Sequence, residues 1–451
     1  MNLNSVHSVY FIGIGGIGMS ALARYFKFTG KNVAGYDKTP SSLTGLLASG
    51  GIKIHYEDSI KSIPDAFHEK ETTLVVYTPA VPAEHKELQY FKENGFVLKK
   101  RAEVLGLLTK NTFSLAVAGT HGKTTTSAIL AHILNETGVP LTAFLGGVSE
   151  NFDSNFLMTG SETTVAEADE FDRSFLHLSP DIACITSVDA DHLDIYGNAT
   201  ELQKSFMEFA GKLKPGGKLL VKSGLPVNGI TYGIEDNSSY CIKNLKIKNA
   251  TYVFDVVTPA EIIKGVEFNK PGKHNLLNAL VAFAMAAETG GAPTSRLARA
   301  LATFKGVKRR FSVHINTSKL IYVDDYAHHP TEIDAVYDAV REMYPDKKVL
   351  AVFQPHLFSR TRDFADEFAL SLSRFDEVVL LDIYPAREKP IEGITSSWLL
   401  EKMNLKHKSL KSKKELHEYL TEADFQVLVT MGAGDIGEEV QQIKKALYHE
   451  G

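Results

Sequence analysis

Two glycine loops in this chain have the form of phosphate cradles. The first reads Gly13-Ile14-Gly15-Gly16-Ile17-Gly18, with glycines at all three positions of GxGxxG. Glycine permits a tight turn and lets the backbone approach a pyrophosphate. The N-terminus of the helix that follows directs about half a positive charge at that anion. Asp37 comes 19 residues after Gly18, where an acidic residue usually meets a ribose. Gly13, Gly15, Gly16, Ile17, Gly18 and Asp37 are therefore candidates for a diphosphate-linked nucleotide, without identifying which one.

The second loop is Gly119-Thr120-His121-Gly122-Lys123-Thr124-Thr125, preceded by Val117-Ala118. Backbone N–H groups of such a loop surround phosphates. Lys123 would reach the β- and γ-phosphates, and the Thr124 hydroxyl would hold Mg²⁺. The longer GxxxxGK pattern requires glycine at position 117, and this chain has valine there. That departure argues against a generic P-loop kinase or GTPase. A nicotinamide dehydrogenase needs one phosphate loop. Two loops in separate segments point to two nucleotides.

Carboxylates and histidines follow. Glu167-Ala168-Asp169-Glu170 ends a strand-like stretch, Thr163–Ala166. Asp189-Ala190-Asp191-His192-Leu193-Asp194 follows another, Ile182–Thr186. Ligands of open α/β sheets bind beyond the carboxyl ends of strands, so both clusters face the expected phosphates. Mg²⁺ takes hard oxygen ligands but usually only one or two carboxylates, so most of these acids are not direct ligands. Asn275 and Asn278 stand three apart before an Ala-rich helix and share a helix face. They can read a purine edge or simply cap the helix start. Lys308-Arg309-Arg310 and Asp324-Asp325-Tyr326-Ala327-His328-His329-Pro330 bracket a further strand. An arginine there can neutralise a γ-phosphate.

The elements that position these residues alternate. Ser8–Ile12, a helix from about Met19 to Phe28, and Asn32–Tyr36 begin a Rossmann-like unit. Leu115–Ala118, a helix over Ser127–Leu134, Ile182–Thr186 and Lys218–Val221 make a second start. Leu320–Asp324, Val349–Phe353, Val378–Asp382 and Val427–Thr430 make a third. Alternating strands and helices predict parallel sheets covered by helices. The expected class is α/β with three domains. A Rossmann-like N-terminal domain covers 1–108, a P-loop-type ATP-binding central domain 109–310, and a Rossmann-like C-terminal domain 311–451.

Composition narrows the partners. A net charge of −5 lacks the basic excess of a nucleic-acid protein. The densest basic run, Lys406–Lys414 with five lysines, has no interleaved aromatic platform and reads as a solvated surface. The two cysteines, Cys184 and Cys241, form no metal-type pair and fit a reducing compartment. The longest apolar run, Ala279–Ala287, is too short to span a membrane, and no lysine or arginine precedes Arg24, as a secretory leader would require. A cytoplasmic protein without membrane insertion is expected, as a monomer or homodimer.

The ordered set GTHGKT, EADE, DHLD, PGKHNLLNA, KRRF and DDYAHHPTE, with GIGGIGMSALA at the start, resembles the Mur ligases over essentially the whole chain. That resemblance implies ATP-dependent amide-bond formation in peptidoglycan precursor synthesis, with UDP-N-acetylmuramate and L-alanine as partners and ATP and Mg²⁺ as cofactors. It assigns Gly13–Gly18 and Asp37 to the UDP end, and Gly119–Thr125 with Asn275, Asn278 and Asp325 to ATP. It makes Lys123, His192 and Arg310 catalytic, and Thr124, Glu167 and His192 metal-site residues. His121, Tyr326, His328, Arg360 and Arg362 line the amino-acid and muramyl pocket. The chain departs from the family pattern at Ser187, where relatives commonly carry asparagine.

Overall fold

The computed structural model describes residues 3–189, 193–248, 251–386 and 388–447, with the side chains of 4, 193 and 194 excepted. The chain divides into two compact units. The first comprises Met1–Lys246, Val253–Glu267 and Leu277–Lys305; the second comprises Ile247–Tyr252, Phe268–Leu276 and Gly306–Gly451.

A five-stranded parallel sheet opens the first unit. Its order is Lys53–His55, Asn32–Tyr36, Ser8–Ile12, Thr73–Tyr77, Val97–Lys100. Ser8–Ile12 is buried throughout, as a strand with helices on both faces must be. The expected helix near Met19–Phe28 runs Ile17–Phe28. The strand order reverses beside Ser8–Ile12, which places the first glycine loop at the switch point where such sheets take ligands.

The second sheet has ten strands. Its parallel centre runs Lys218–Lys222, Ile182–Ile185, Phe113–Ala118, Thr163–Glu167, Leu141–Ser149. An antiparallel hairpin closes one side, Leu141–Ser149 with Ser154–Met158. On the other side the parallel pairing continues through Ile230–Ile234 to Tyr240–Lys248, and Thr251–Val257 and Ile262–Phe268 complete the sheet. The hairpin and these four strands were not expected, and no helix stands between their consecutive members to announce a crossover.

One continuous hydrophobic core serves both sheets of the first unit, joining Phe11, Leu22 and Phe26 to Ala116, Phe144, Phe175 and Phe206. Tyr25 packs on Phe144 and Phe156 with ring centroids 5.6 and 6.5 Å apart. Asn155 Nδ2 donates to the Ile17 carbonyl at 2.7 Å. The expected division at 108 therefore falls inside the helix Arg101–Lys110, between two sheets that share a core.

In the second unit a six-stranded sheet has the order Ser312–Asn316, Ile321–Asp325, Val427–Met431, Val349–Phe353, Glu377–Leu380, Lys408–Leu410. The first pair is antiparallel and the rest parallel. The last strand in sequence inserts between Ile321–Asp325 and Val349–Phe353. Apolar clusters cover both faces, one around Phe353, Phe368 and Leu399, the other around Tyr322, Leu350 and Leu428. Among the described residues, no helix is long and apolar enough to cross a membrane.

Candidate active site

The second glycine loop connects the buried strand Phe113–Ala118 to the helix Lys123–Glu136. Gly119 has φ +134°, and a Cβ built there would lie 2.0 Å from Thr186 Oγ1, so only glycine fits. The loop is fastened to the end of the neighbouring strand. Ser187 Oγ lies 2.8 Å from Thr120 Oγ1 and accepts the His121 N–H at 2.9 Å. The Thr120 N–H reaches the Ser187 carbonyl at 3.1 Å, and Thr186 Oγ1 donates to the His121 carbonyl. Ser187 thus fastens the loop through both its side chain and its backbone.

Lys123 sits in a nest of acceptors. Its Nζ donates to the Gly119 carbonyl at 2.6 Å and lies 2.9 and 2.7 Å from the two oxygens of Glu170. Burial works against the charge, but the carboxylates of Glu170, Asp169 and Glu167 overcome it and hold the ammonium above the ordinary lysine range. Thr124 Oγ1 lies 3.1 and 3.0 Å from the oxygens of Glu167, and the Gly146 N–H donates to Glu167 Oε2 at 2.9 Å. His121 Nε2 is 3.7 Å from Asp189 Oδ2. Asn278 approaches the loop, with its Oδ1 2.4 Å from where a Cβ on Gly122 would sit.

Among the described residues no group of three or more His, Cys, Asp or Glu gathers to hold a metal. Thr124 with Glu167 offers two hard oxygens. That fits an ion that completes its shell with phosphate oxygens and water. His192, the third expected metal residue, lies outside the described residues.

In the first glycine loop, Gly13 has φ +87° and Gly18 lies in the first turn of its helix. Asp37 is turned inward onto this loop. Its Oδ2 accepts the Gly15 N–H at 2.7 Å and its Oδ1 the Thr39 N–H at 3.3 Å. The carboxylate expected at a ribose braces the turn.

The second unit gathers a different set. Arg309, with φ +64°, turns back onto its own sheet. It contacts Asp324 at 3.3 Å and the carbonyls of Gly434 at 3.3 Å and Gly432. Arg310 stands apart from that anchor, 3.9 Å from Glu332 Oε1. Both guanidiniums approach the Tyr326 ring, each 5.1 Å from its centroid. The sequence run Lys308–Arg310 did not distinguish the arginine that anchors the sheet from its neighbour. Asp325 accepts the N–H groups of Phe311 and Ala327, both at 2.7 Å. Burial, offset by Arg310, pushes its carboxyl up to about 6. Burial and then the Arg310 cation pull His274 down to about 4.

His328 Nδ1 contacts the Tyr326 carbonyl at 3.0 Å and Glu332 at 3.3 Å. Its ring lies 6.0 Å from that of His356, which stacks on Tyr384 at 5.8 Å and meets Arg360 Nη1 at 3.3 Å. Arg360 joins this cluster; Arg362 does not, since its half-exposed guanidinium pairs with Asp363 at 2.7 Å. Asn275 Nδ2 donates to the Pro271 carbonyl at 2.6 Å, the helix-start role open to it. Glu332, His356 and Tyr384 were not anticipated. The signal available for the last two was their place just beyond the strands Val349–Phe353 and Glu377–Leu380.

Comparison with known proteins covers the whole chain. Residues 8–112 match the family model described as Mur ligase family, catalytic domain; 117–286 match the Mur ligase middle domain; 309–446 match the Mur ligase, glutamate ligase domain. A UDP-N-acetylmuramate–L-alanine ligase of Flavobacterium psychrophilum is 63% identical over 447 residues, 99% of each chain. The chain belongs to the Mur ligase family. A second ligase of that name, from Flavobacterium johnsoniae, is 60% identical over 99% of each chain. The structure of the UDP-N-acetylmuramate-alanine ligase MurC from Thermotoga maritima superposes with a TM-score of 0.82 at 28% identity, covering 97% of this chain and 98% of that one. The three-domain α/β architecture is thus a Mur ligase architecture, and the two glycine loops fall in the first and middle family domains.

Proposed function

We propose that this Mur ligase joins L-alanine to the lactyl carboxylate of UDP-N-acetylmuramate with conversion of ATP to ADP and phosphate, a step in peptidoglycan precursor synthesis. The observation that carries the reading is the 63% identity to a ligase of that name along 99% of the chain. We take 1–108, 109–310 and 311–451 as its UDP, ATP and amino-acid segments, and the cytoplasm as its place.

A carboxylate does not react with an amine in water, because its oxygen is a poor leaving group. Attack of the lactyl carboxylate on the γ-phosphorus breaks its bond to the bridging oxygen, so that ADP leaves and an acyl phosphate forms. The alanine amine then attacks the acyl carbon and phosphate departs. The protein's contribution is position and charge. Lys123 supplies a buried cation at the loop, and Arg310 a second at the phosphate. Asn275, Asn278 and Asp325 are assigned to the adenosine, and His121, Tyr326, His328 and Arg360 to the muramyl and alanyl groups. Thr124 and Glu167, with His192, would hold Mg²⁺. When bound, the ion neutralises charge developing on the transferred phosphoryl group.

The decisive experiment incubates purified protein with ATP, UDP-N-acetylmuramate and each amino acid in turn, with and without Mg²⁺, and follows phosphate release. L-Alanine should give the highest kcat/KM and Mg²⁺ should be required. Preference for another amino acid, or release independent of UDP-N-acetylmuramate, would overturn the reading.

A further inference from the structure

Lys123 is fully engaged. An ammonium has three N–H donors. The Gly119 carbonyl at 2.6 Å, Glu170 Oε1 at 2.9 Å and the Thr120 carbonyl at 3.3 Å take all three, with Glu170 Oε2 an ion-pair contact at 2.7 Å. The triphosphate needs the same donors.

The two partners differ in freedom. Glu170 is 1% exposed and its backbone is pinned, since Tyr196 Oη donates to its carbonyl at 2.6 Å. Its neighbour Asp169 pairs with Arg101 at 3.1 Å and accepts the Phe171 N–H at 3.1 Å. The turn that follows holds Asp172 and Arg173 at φ 53°, and Asp172 is tied to Lys100 at 3.0 Å. Lysine, by contrast, carries its charge on a four-carbon stem with rotatable donors. The carboxylate is fixed, and the ammonium is the group that moves.

We propose that Glu170 is a positioning residue that holds Lys123 back against the loop and competes with the nucleotide phosphates for its ammonium. The proposal rests on the reading of Lys123 as the phosphate-binding lysine. Binding a nucleotide pulls the ammonium from Glu170, and product release returns it. The carboxylate thus keeps the ground-state complex weak, and binding energy held in a ground state does not raise kcat. It also speeds departure of ADP, a step that limits turnover in many enzymes.

The test is equilibrium binding of Mg-ADP to the full-length protein by calorimetry, with KM for ATP and kcat alongside. Glu170→Gln keeps the shape and removes the competing charge. It should bind ADP about tenfold more tightly and lower both KM for ATP and kcat. A purely structural role would weaken binding instead. Should Glu170→Gln fail to fold, Glu170→Asp, whose shorter side chain reaches Lys123 less well, should shift ADP affinity in the same direction by a smaller factor. Unchanged or weaker ADP affinity in the folded variant overturns the competition. If Lys123→Met abolishes ADP binding while Glu170→Gln leaves it unaltered, the proposed function stands and only the role of Glu170 falls. Failure of the wild type to bind ADP would remove both.

Discussion

Replacing Lys123 by methionine should damage both the fold and the chemistry, and a second substitution should separate the two. The Nζ–Oε2 distance is 2.7 Å, with the lysine side chain 14% and the glutamate side chain 1% exposed. At an effective dielectric of about 20, unit charges at that distance attract by about 6 kcal/mol before desolvation is counted. Removing one partner of a buried pair strands the other charge and costs about 3–5 kcal/mol. With about 2 °C per kcal/mol for a unit of this size, Lys123→Met should melt about 6–10 °C below the wild type. Its phosphate release with UDP-N-acetylmuramate and L-alanine should fall at least about a hundredfold, as expected when a charge-stabilising group is lost. Adding Glu170→Gln removes the stranded carboxylate, so the double variant should recover most of the melting temperature and none of the turnover. Calorimetric melting and a phosphate-release assay read the two effects separately. A Lys123→Met protein that melts with the wild type would refute the buried pair. A double variant with near-wild-type turnover would refute the assignment of Lys123 to the phosphate.

Three further outcomes follow from individual contacts. Ser187→Ala deletes the contacts to Thr120 Oγ1 and the His121 N–H. At about 1 kcal/mol per hydrogen bond it should raise KM for ATP about five- to thirtyfold; an unchanged KM would show that the loop holds its shape without them. Arg360→Ala should raise KM for alanine at least tenfold more than Arg362→Ala, because Arg360 meets His356 whereas Arg362 pairs with Asp363; equal effects in steady-state kinetics would contradict that division. Asp325 has its carboxyl raised from 3.8 to about 6. A raised acid stabilises the fold while protonated, so its contribution is complete below about pH 3.8 and fades as pH rises through about 6. The unfolding free energy of the wild type minus that of Asp325→Asn should therefore fall by about 2–3 kcal/mol between about pH 4 and pH 7.5, and a flat difference in denaturant titrations would refute the shift.

What the sequence disclosed, it disclosed through local rules. Strands such as Val349–Phe353 are uniformly apolar because both faces are covered, and their limits match the expectation to the residue. The phosphate loop was legible because its function needs particular residues at fixed spacing. Contacts between distant segments were not legible. Nothing near Lys123 in the chain announces Glu170 as its partner, since the pairing arises only when Thr163–Glu167 lies beside Phe113–Ala118. Glu332 joins His328 and Arg310 through the first turn of the helix Pro330–Met343, and His356 enters from another strand end. The hairpin Leu141–Ser149 with Ser154–Met158 was missed because its strands lack strict alternation.

Val117 stands where the longer phosphate-loop pattern has its first glycine, and the sheet explains how the loop works without it. Val117 is a buried strand residue, in register with Cys184 on one side and Glu167 on the other. The strand continues to Ala118, and the turn begins only at Gly119, whose φ of +134° supplies the backbone freedom two positions later. The register does the rest. Because Glu167 pairs with Val117, its carboxylate emerges level with the loop, where the Thr124 hydroxyl meets both its oxygens at 3.0 and 3.1 Å. The parallel strand on the other side ends at Ile185, so Thr186 and Ser187 arrive in time to fasten Gly119–His121. A glycine at 117 would leave the pairing in place but weaken the strand between the two partners that position the loop, by its backbone freedom and its missing side chain. The departure from the longer pattern therefore suits this loop: valine stiffens the strand whose register brings Glu167 and Ser187 to their places.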